Sequence, residues 1–267
     1  MTFSLAARSA DGTQWGVAVA SKFLAVGAVV PAAQYGVGAV ATQALVNLAY
    51  RQDGLRLLAD GRNAQEVVDT LTAADDGRAD RQVGIVDSRG EAATFTGSGC
   101  HDWAGGRTGP GYAAQGNILT GPEVVDALAD AFEGNAGPLA HRLYQALLAA
   151  DRAGGDRRGR QSAALYVVSA QGGYGGGSDV QVDVRIDDHP DPVPELGRLL
   201  DLHDLYFGRP DPDTLLPLTG ELAAEVAERL QRLGYDSLES WAGVENYEER
   251  LVPDSIDPVV LAKLRAS

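Results

Sequence analysis

The chain has 267 residues, 45% of them hydrophobic and 33 of them glycine, with a formal charge of −15. That length holds one large domain and a small appendage, and the anionic excess works against nucleic acid or an anionic membrane as main partner, since both repel it over about 8–10 Å at physiological salt. The single cysteine, Cys100, excludes an internal disulfide framework and a thiolate metal cluster and points to a reducing compartment.

The first 30 residues lack the basic, then apolar, pattern of a secretory leader. The apolar run 23–33 contains Gly27 and Pro31 and is too short to span a bilayer. A cytoplasmic protein is expected; the oligomeric state is not legible from the sequence, and a homo-oligomer stays open. Residues 3–8 and 15–20 read as strands around the Asp11-Gly12 hairpin signal. Two valine-rich strands are expected at 26–30 and 37–42. Helices follow at 48–60 and from Asn63, an N-cap with Glu66 three residues on and Val67, Val68 and Leu71 on one face. Strands return at 82–87, 91–96 and 112–117. Helices are expected at 123–132 and from Pro138, with Leu139, Leu143 and Leu147 facing inward until Gly154-Gly155. Strands 162–169 and 180–186 flank a glycine-rich loop, which lacks the Lys-Ser/Thr ending of a nucleotide loop. A helix over 194–206 closes the large domain.

At Arg209-Pro210-Asp211-Pro212-Asp213 the composition changes, and the pattern beyond is helical and acidic, with helices at 221–233 and 258–264. The division read from this is a domain 1–207, a linker 208–215 and a small helical domain 216–267. Blocks of hairpins separated by helix pairs make the large domain α+β, fitting two antiparallel sheets face to face with helices outside, a four-layer αββα sandwich.

Thr2 stands at the tip of the first core strand, so loss of Met1 would expose its α-amine beside its hydroxyl. A free α-amine has a pKa of about 7.7–8.0 and can take the proton from the same residue's nucleophile. Thr42 and Gln43, and Gln115 and Asn117, end apolar strands where amides either read a substrate or satisfy buried strand ends. Around Gly154-Gly155, Arg157 and Arg158 read as cations at a helix C-terminus; Arg160 and Gln161 are either substrate-binding or structural. Asp187-Asp188-His189-Pro190-Asp191 reads as a turn and N-cap rather than a metal site. Cys100 and His101, adjacent in an extended segment, would face opposite ways. No metal and no cofactor is called for.

The strings Gly16-Val17-Ala18-Val19-Ala20-Ser21, Val26-Gly27-Ala28-Val29-Val30-Pro31, Gly36-Val37-Gly38-Ala39-Val40-Ala41-Thr42-Gln43, Gln115-Gly116-Asn117, residues 154–163 and residues 185–193 resemble the domain-of-unknown-function 1028 family. That family is generally placed in the N-terminal-nucleophile (Ntn) hydrolase superfamily, without an assigned reaction. The resemblance spans about residues 1–207. The tail, with Leu233-Gly234-Tyr235 and residues 245–250, resembles a peptidoglycan-binding module, which implies a cell-wall-derived ligand. Proteasome-like members of the superfamily pair their N-terminal threonine with an aspartate and a lysine. Here the aspartate is missing from Ala20-Ser21-Lys22, and Lys22 is either the cation beside Thr2 or an exposed strand-end charge. The function expected is hydrolysis of a small-molecule or peptide amide by Thr2, with Lys22 beside it. The alternative is a catalytically inactive ligand-binding protein of the same fold carrying an acidic helical recognition module.

Overall fold

The structure is a computed structural model that describes residues 2–267. Met1, on whose removal the Thr2 reading depends, lies outside the described residues. The described chain divides into two compact units, residues 1–198 and 199–267.

The first unit is mixed α+β and carries two antiparallel sheets. The six-stranded sheet runs in the order β10 (Val180–Ile186), β9 (Ser162–Ser169), β2 (Gln14–Ser21), β1 (Thr2–Arg8), β8 (Tyr112–Asn117), β7 (Gly105–Gly109). The four-stranded sheet runs β3 (Pro31–Gln34), β4 (Gly38–Ala44), β5 (Arg81–Asp87), β6 (Ala92–Thr96). Strand β1 is paired on both sides, Phe3 opposite Ala20 on β2 and Thr2 opposite Asn117 on β8.

Side chains alternate across each strand, and the two faces of each sheet are filled differently. Ala6, Trp15, Val17 and Val19 of the larger sheet share one buried cluster with Ala39, Ala41 and Val86 of the smaller, so the sheets pack on each other. The opposite face of the smaller sheet, with Val40, Val83 and Ile85, is covered by α1 (Ala49–Ala59) and α2 (Ala64–Ala73). Helices α3 (Glu123–Gly134) and α4 (Leu139–Arg152) pack against the larger sheet. Their buried residues, Val125, Leu128 and Phe132 on α3 and Leu139, Leu143 and Leu147 on α4, recur at helical spacing.

Local chemistry explains most boundaries. The Asn63–Glu66 capping box at α2 is complete: the Asn63 side chain accepts the Glu66 N–H and Glu66 accepts that of Asn63, both at 2.9 Å. One expectation is corrected, and one strand has no counterpart in the sequence reading. The valine-rich stretch 26–30 is not a strand but opens with a 3-10 turn, Val26–Ala28, because Ala25 takes a left-handed φ of 53° and a Cβ on Gly27 would lie 2.5 Å from Ala164 Cβ. Strand β7 was missed because Gly-Gly-Arg-Thr-Gly has no apolar alternation; pairing with β8 alone makes it a strand.

The second unit contains α6 (Gly220–Leu233), α7 (Leu238–Glu245), α8 (Pro258–Ala266) and a short antiparallel strand pair, β11 (Leu216–Pro217) with β12 (Ser255–Ile256). Gly234 stops α6 in the left-handed region at φ 82°. Helix α7 was not anticipated; Ser237 caps it by accepting the Ser240 N–H at 3.1 Å, and Trp241 anchors it. The division falls earlier than the proline-rich segment suggested, within α5 (Pro192–Phe207). Leu205 and Tyr206 pack on the core of the second unit, and part-buried Arg250 donates to Leu205 O at 2.6 Å while pairing with Asp257 at 2.6 Å. Among the described residues no helix is long and apolar enough to cross a membrane.

Candidate active site

The inner faces of the two sheets change character along the strands. Toward one end the two-residue alternation delivers Thr2 and Ser4 on β1, Gln43 on β4, Gln82 on β5, and Gln115 and Asn117 on β8. All but Thr2 are at most 2% exposed, and Thr2 is at 6%. A core of this kind demands that every polar group find a partner. Gln115 Nε2 donates to Ser4 Oγ at 2.7 Å, Ser4 donates to Gln43 Oε1 at 2.6 Å, and Gln43 Nε2 donates to Gln82 Oε1 at 2.8 Å. Gln82 in turn donates to Thr96 Oγ1 at 2.9 Å and to Gly116 O at 2.7 Å, and Asn117 Nδ2 donates to Gln82 Oε1 at 3.0 Å. Gln43 Nε2 has a second acceptor, the carbonyl oxygen of Thr2, at 3.2 Å. The chain of amides therefore ends on the backbone of Thr2. Gly84 is required beside it, since a Cβ there would stand 1.9 Å from Gln115 Oε1.

Thr2 Oγ1 lies 3.1 Å from Ser21 Oγ. Its side chain borders a cavity of about 330 Å³, walled by Phe23, Val26, Val30, Leu45 and Ile118 and carrying Gln43, Asn117, Asp80, Cys100, His101 and Arg158 as polar lining. The backbone bends sharply around it. Ala44 and Ile118, both lining residues, take φ of 72° and 50°, and Ala25 takes 53° next to Val26. Left-handed φ is costly for a β-branched residue such as Ile118, and strain of this kind concentrates where a site dictates the backbone.

The sequence candidates separate into two groups. Thr2, Gln43 and Asn117 meet at the cavity. The others are not among its lining residues. Thr42 sits on the face of β4 opposite Gln43 and donates to Asn47 O at 3.4 Å. Gln115 belongs to the amide chain behind Thr2. Arg160 pairs with buried Asp151 at 2.8 Å, and Gln161 donates to Asp188 at 3.1 Å. Lys22 is exposed, and its ammonium donates to Arg160 O at 3.3 Å. What Lys22 contributes near the site is its backbone N–H, 2.7 Å from Asp156 Oδ2.

Several lining residues escaped the sequence reading. Arg158, read as a helix-end cation, borders the cavity and pairs with Asp156 at 3.4 Å; Asp156 Oδ1 also accepts the Arg158 N–H at 2.8 Å. Cys100 and His101 both line the cavity, because they lie at a bend and not in an extended strand. The Cys100 thiol is half-buried, and burial pushes its pKa up, which disfavours the thiolate. Ser4 and Gln82 carry a signal that was available: a polar residue at the inward register of an otherwise apolar strand. Beyond the end of β10, His189 Nδ1 accepts the Asp191 N–H at 3.0 Å in a turn. Among the described residues no three His, Cys, Asp or Glu side chains are grouped to hold a metal ion.

An α+β unit with a polar-ended inter-sheet core is thus the class the fold and site define. The model of the family of unknown function DUF1028 matches residues 2–196, and the chain belongs to that family. A second model, described as a putative peptidoglycan binding domain, matches residues 206–264. Among solved structures the chain is similar to the crystal structure of a Silicibacter pomeroyi protein of the DUF1028 family, at 32% identity and TM-score 0.69, covering 83% of this chain and 88% of that one. It also matches the ancestral β-subunit Anbu of Yersinia bercovieri at 14% identity and TM-score 0.31, covering 75% and 93% of the two chains, a likeness too weak to carry an argument. None of the curated proteins matches.

Proposed function

We propose that the first unit is an amide-bond hydrolase of the Ntn type with Thr2 as nucleophile, its helices and sheets forming the four-layer αββα sandwich of that superfamily. The observation that carries this reading is Thr2 itself: the first residue of a doubly paired strand, lining a cavity of mixed apolar and polar walls, with its carbonyl held by Gln43. Once Met1 is removed, the α-amine takes the Thr2 hydroxyl proton as Oγ attacks the substrate carbonyl. The C–N bond breaks, the amine delivers that proton to the leaving nitrogen, and an acyl ester remains on Thr2. Water attacks the ester, again giving its proton to the α-amine, and the acid is released with the hydroxyl restored. Asn117, whose amide borders the cavity, supplies an N–H for the developing oxyanion. Gln43 acts on Thr2 instead of substrate, because both of its amide hydrogens are engaged. Lys22 serves as a positioning residue through its backbone bond to Asp156, and Arg158 supplies the cation at the cavity wall.

The substrate is a small-molecule or peptide amide, in keeping with a cavity near the lower end of ligand-pocket sizes. The second unit is proposed to bind a cell-wall-derived ligand, on the strength of its family description. Mass analysis of the N-terminus of native protein, followed by an amide library assayed on wild type and Thr2→Ala, tests the enzyme reading. Trimmed Met1 with turnover lost in the variant supports it; equal turnover in both proteins removes Thr2 from the mechanism, and retained Met1 with no turnover favours a non-catalytic ligand-binding protein.

A further inference from the structure

Four exposed large apolar side chains stand on the two segments that border the Thr2 cavity. Phe23 and Leu24, at 49% and 60% exposure, follow β2; Leu45 and Leu48, at 65% and 53%, follow β4. The exposure is built into the backbone. Ser162 Oγ donates to Phe23 O at 2.5 Å and accepts the Val26 N–H at 3.1 Å. Leu45 N–H donates to Asp80 O at 3.1 Å, and Arg81 donates to Leu45 O at 2.5 Å. Each segment also contains a left-handed alanine, Ala25 or Ala44. Pinned and strained segments that hold leucine and phenylalanine in water mark a binding surface.

The occupant follows from continuity. Phe23 and Leu45 belong both to the exposed rim and to the cavity wall, where Val26, Val29 and Val30 extend the apolar surface inward to Thr2. A protein surface laid over the rim would cover Leu24 and Leu48 but leave the inner wall unfilled. A flexible apolar chain fills the wall and crosses the rim together. We infer that the substrate is an N-acyl amide with an aliphatic acyl chain, its carbonyl carbon at Thr2 and its methylenes running over the valines and out across Phe23 and Leu45. The inference rests on the Thr2 reading and adds the substrate class. Its products are the free aliphatic acid and the amine.

Binding and turnover are measured separately. Calorimetric titration of Thr2→Ala protein with neutral N-acetyl-, N-butyryl-, N-hexanoyl- and N-octanoyl-glycinamide is expected to tighten Kd by about fourfold per added methylene until the chain clears the rim. The double variant Phe23→Asp, Leu45→Asp, or the milder Leu45→Ser where the double variant fails to fold, should flatten that dependence. Wild-type kcat/KM should climb along the same series. Affinity independent of chain length overturns the inference. So does concentration-dependent dimerisation, in sedimentation velocity, that Leu24→Asp removes while chain length has no effect, because the rim then belongs to a second copy. Chain-length-dependent binding with no turnover of any member in wild type leaves the aliphatic recognition standing and removes the nucleophile reading.

Discussion

The two ends of the space between the sheets are built from the same strands on the same faces, yet they are filled by opposite chemistry. At one end β1 contributes Ala6, β2 Trp15 and Val17, β4 Ala39 and β5 Val86, and the packing is wholly apolar. At the other, β1 contributes Thr2 and Ser4, β4 Gln43 and β5 Gln82, tied by directed hydrogen bonds that finish on the Thr2 carbonyl. An apolar filling would hold the sheets as well and would carry no risk of an unpaired amide. The polar filling, next to a cavity and strained backbone, fixes one residue. The first end holds the sheets together; the second does so while also positioning Thr2.

The comparison is broken most decisively at Thr2. Thr2→Ala should lower turnover of an amide substrate by about 10³-fold or more, with the fold retained, since the substitution removes only Oγ1 and Cγ2 at the end of β1. Next, Gln82→Leu should destabilise by about 2–4 kcal/mol in urea unfolding, because it strips partners from Gln43, Asn117 and Gly116 O at once. Val86→Ala, at the apolar end, should also destabilise, by about 1–3 kcal/mol, but leave kcat untouched, whereas the folded fraction of Gln82→Leu should lose kcat as well. Gly84→Ala, whose new Cβ would press on Gln115, should destabilise by about 1–3 kcal/mol.

The smallest effect concerns acid. Asp75 accepts from Arg81 at 2.9 Å, Asn47 at 3.0 Å and Tyr50 at 3.0 Å, and the Arg81 guanidinium foremost holds its carboxyl well below the ordinary carboxylate range. A carboxyl whose pKa is lower folded than unfolded contributes stability that is full above the unfolded pKa of about 3.9 and fades as pH falls below it. Asp75→Asn should therefore cost about 1–2 kcal/mol at neutral pH, and wild type and variant should begin to converge as pH falls below about 4 and meet only once pH passes the lowered folded pKa, in chemical unfolding curves.

Local chemistry made much of this fold legible in advance. The Asn63–Glu66 box, the strand Tyr112–Asn117 and the stop at Gly234 each follow from residues within a few positions. What local signals could not supply was tertiary. Gly105–Gly109 becomes a strand only through its partner β8, and Val26 turns instead of extending because Ala25 and Gly27 are fitted against other elements. At the site, Thr2, Gln43 and Asn117 were legible as strand-end polar residues. Lys22 and Arg158 were not separable, because both sit at turns and only the fold decides that the arginine borders the cavity while the lysine ammonium rests on Arg160 O. Gln115 reads from the sequence either as a substrate contact or as a satisfied strand end, and in the fold it donates to Ser4 Oγ.

The most direct test of the central claim is covalent. Native protein treated with an activated octanoyl ester and mapped by peptide mass spectrometry should carry one acyl group, on the N-terminal peptide beginning at Thr2, and none in Thr2→Ala. An N-terminal peptide that still begins with Met1 and stays unmodified, or acylation that persists unchanged in Thr2→Ala, would contradict it.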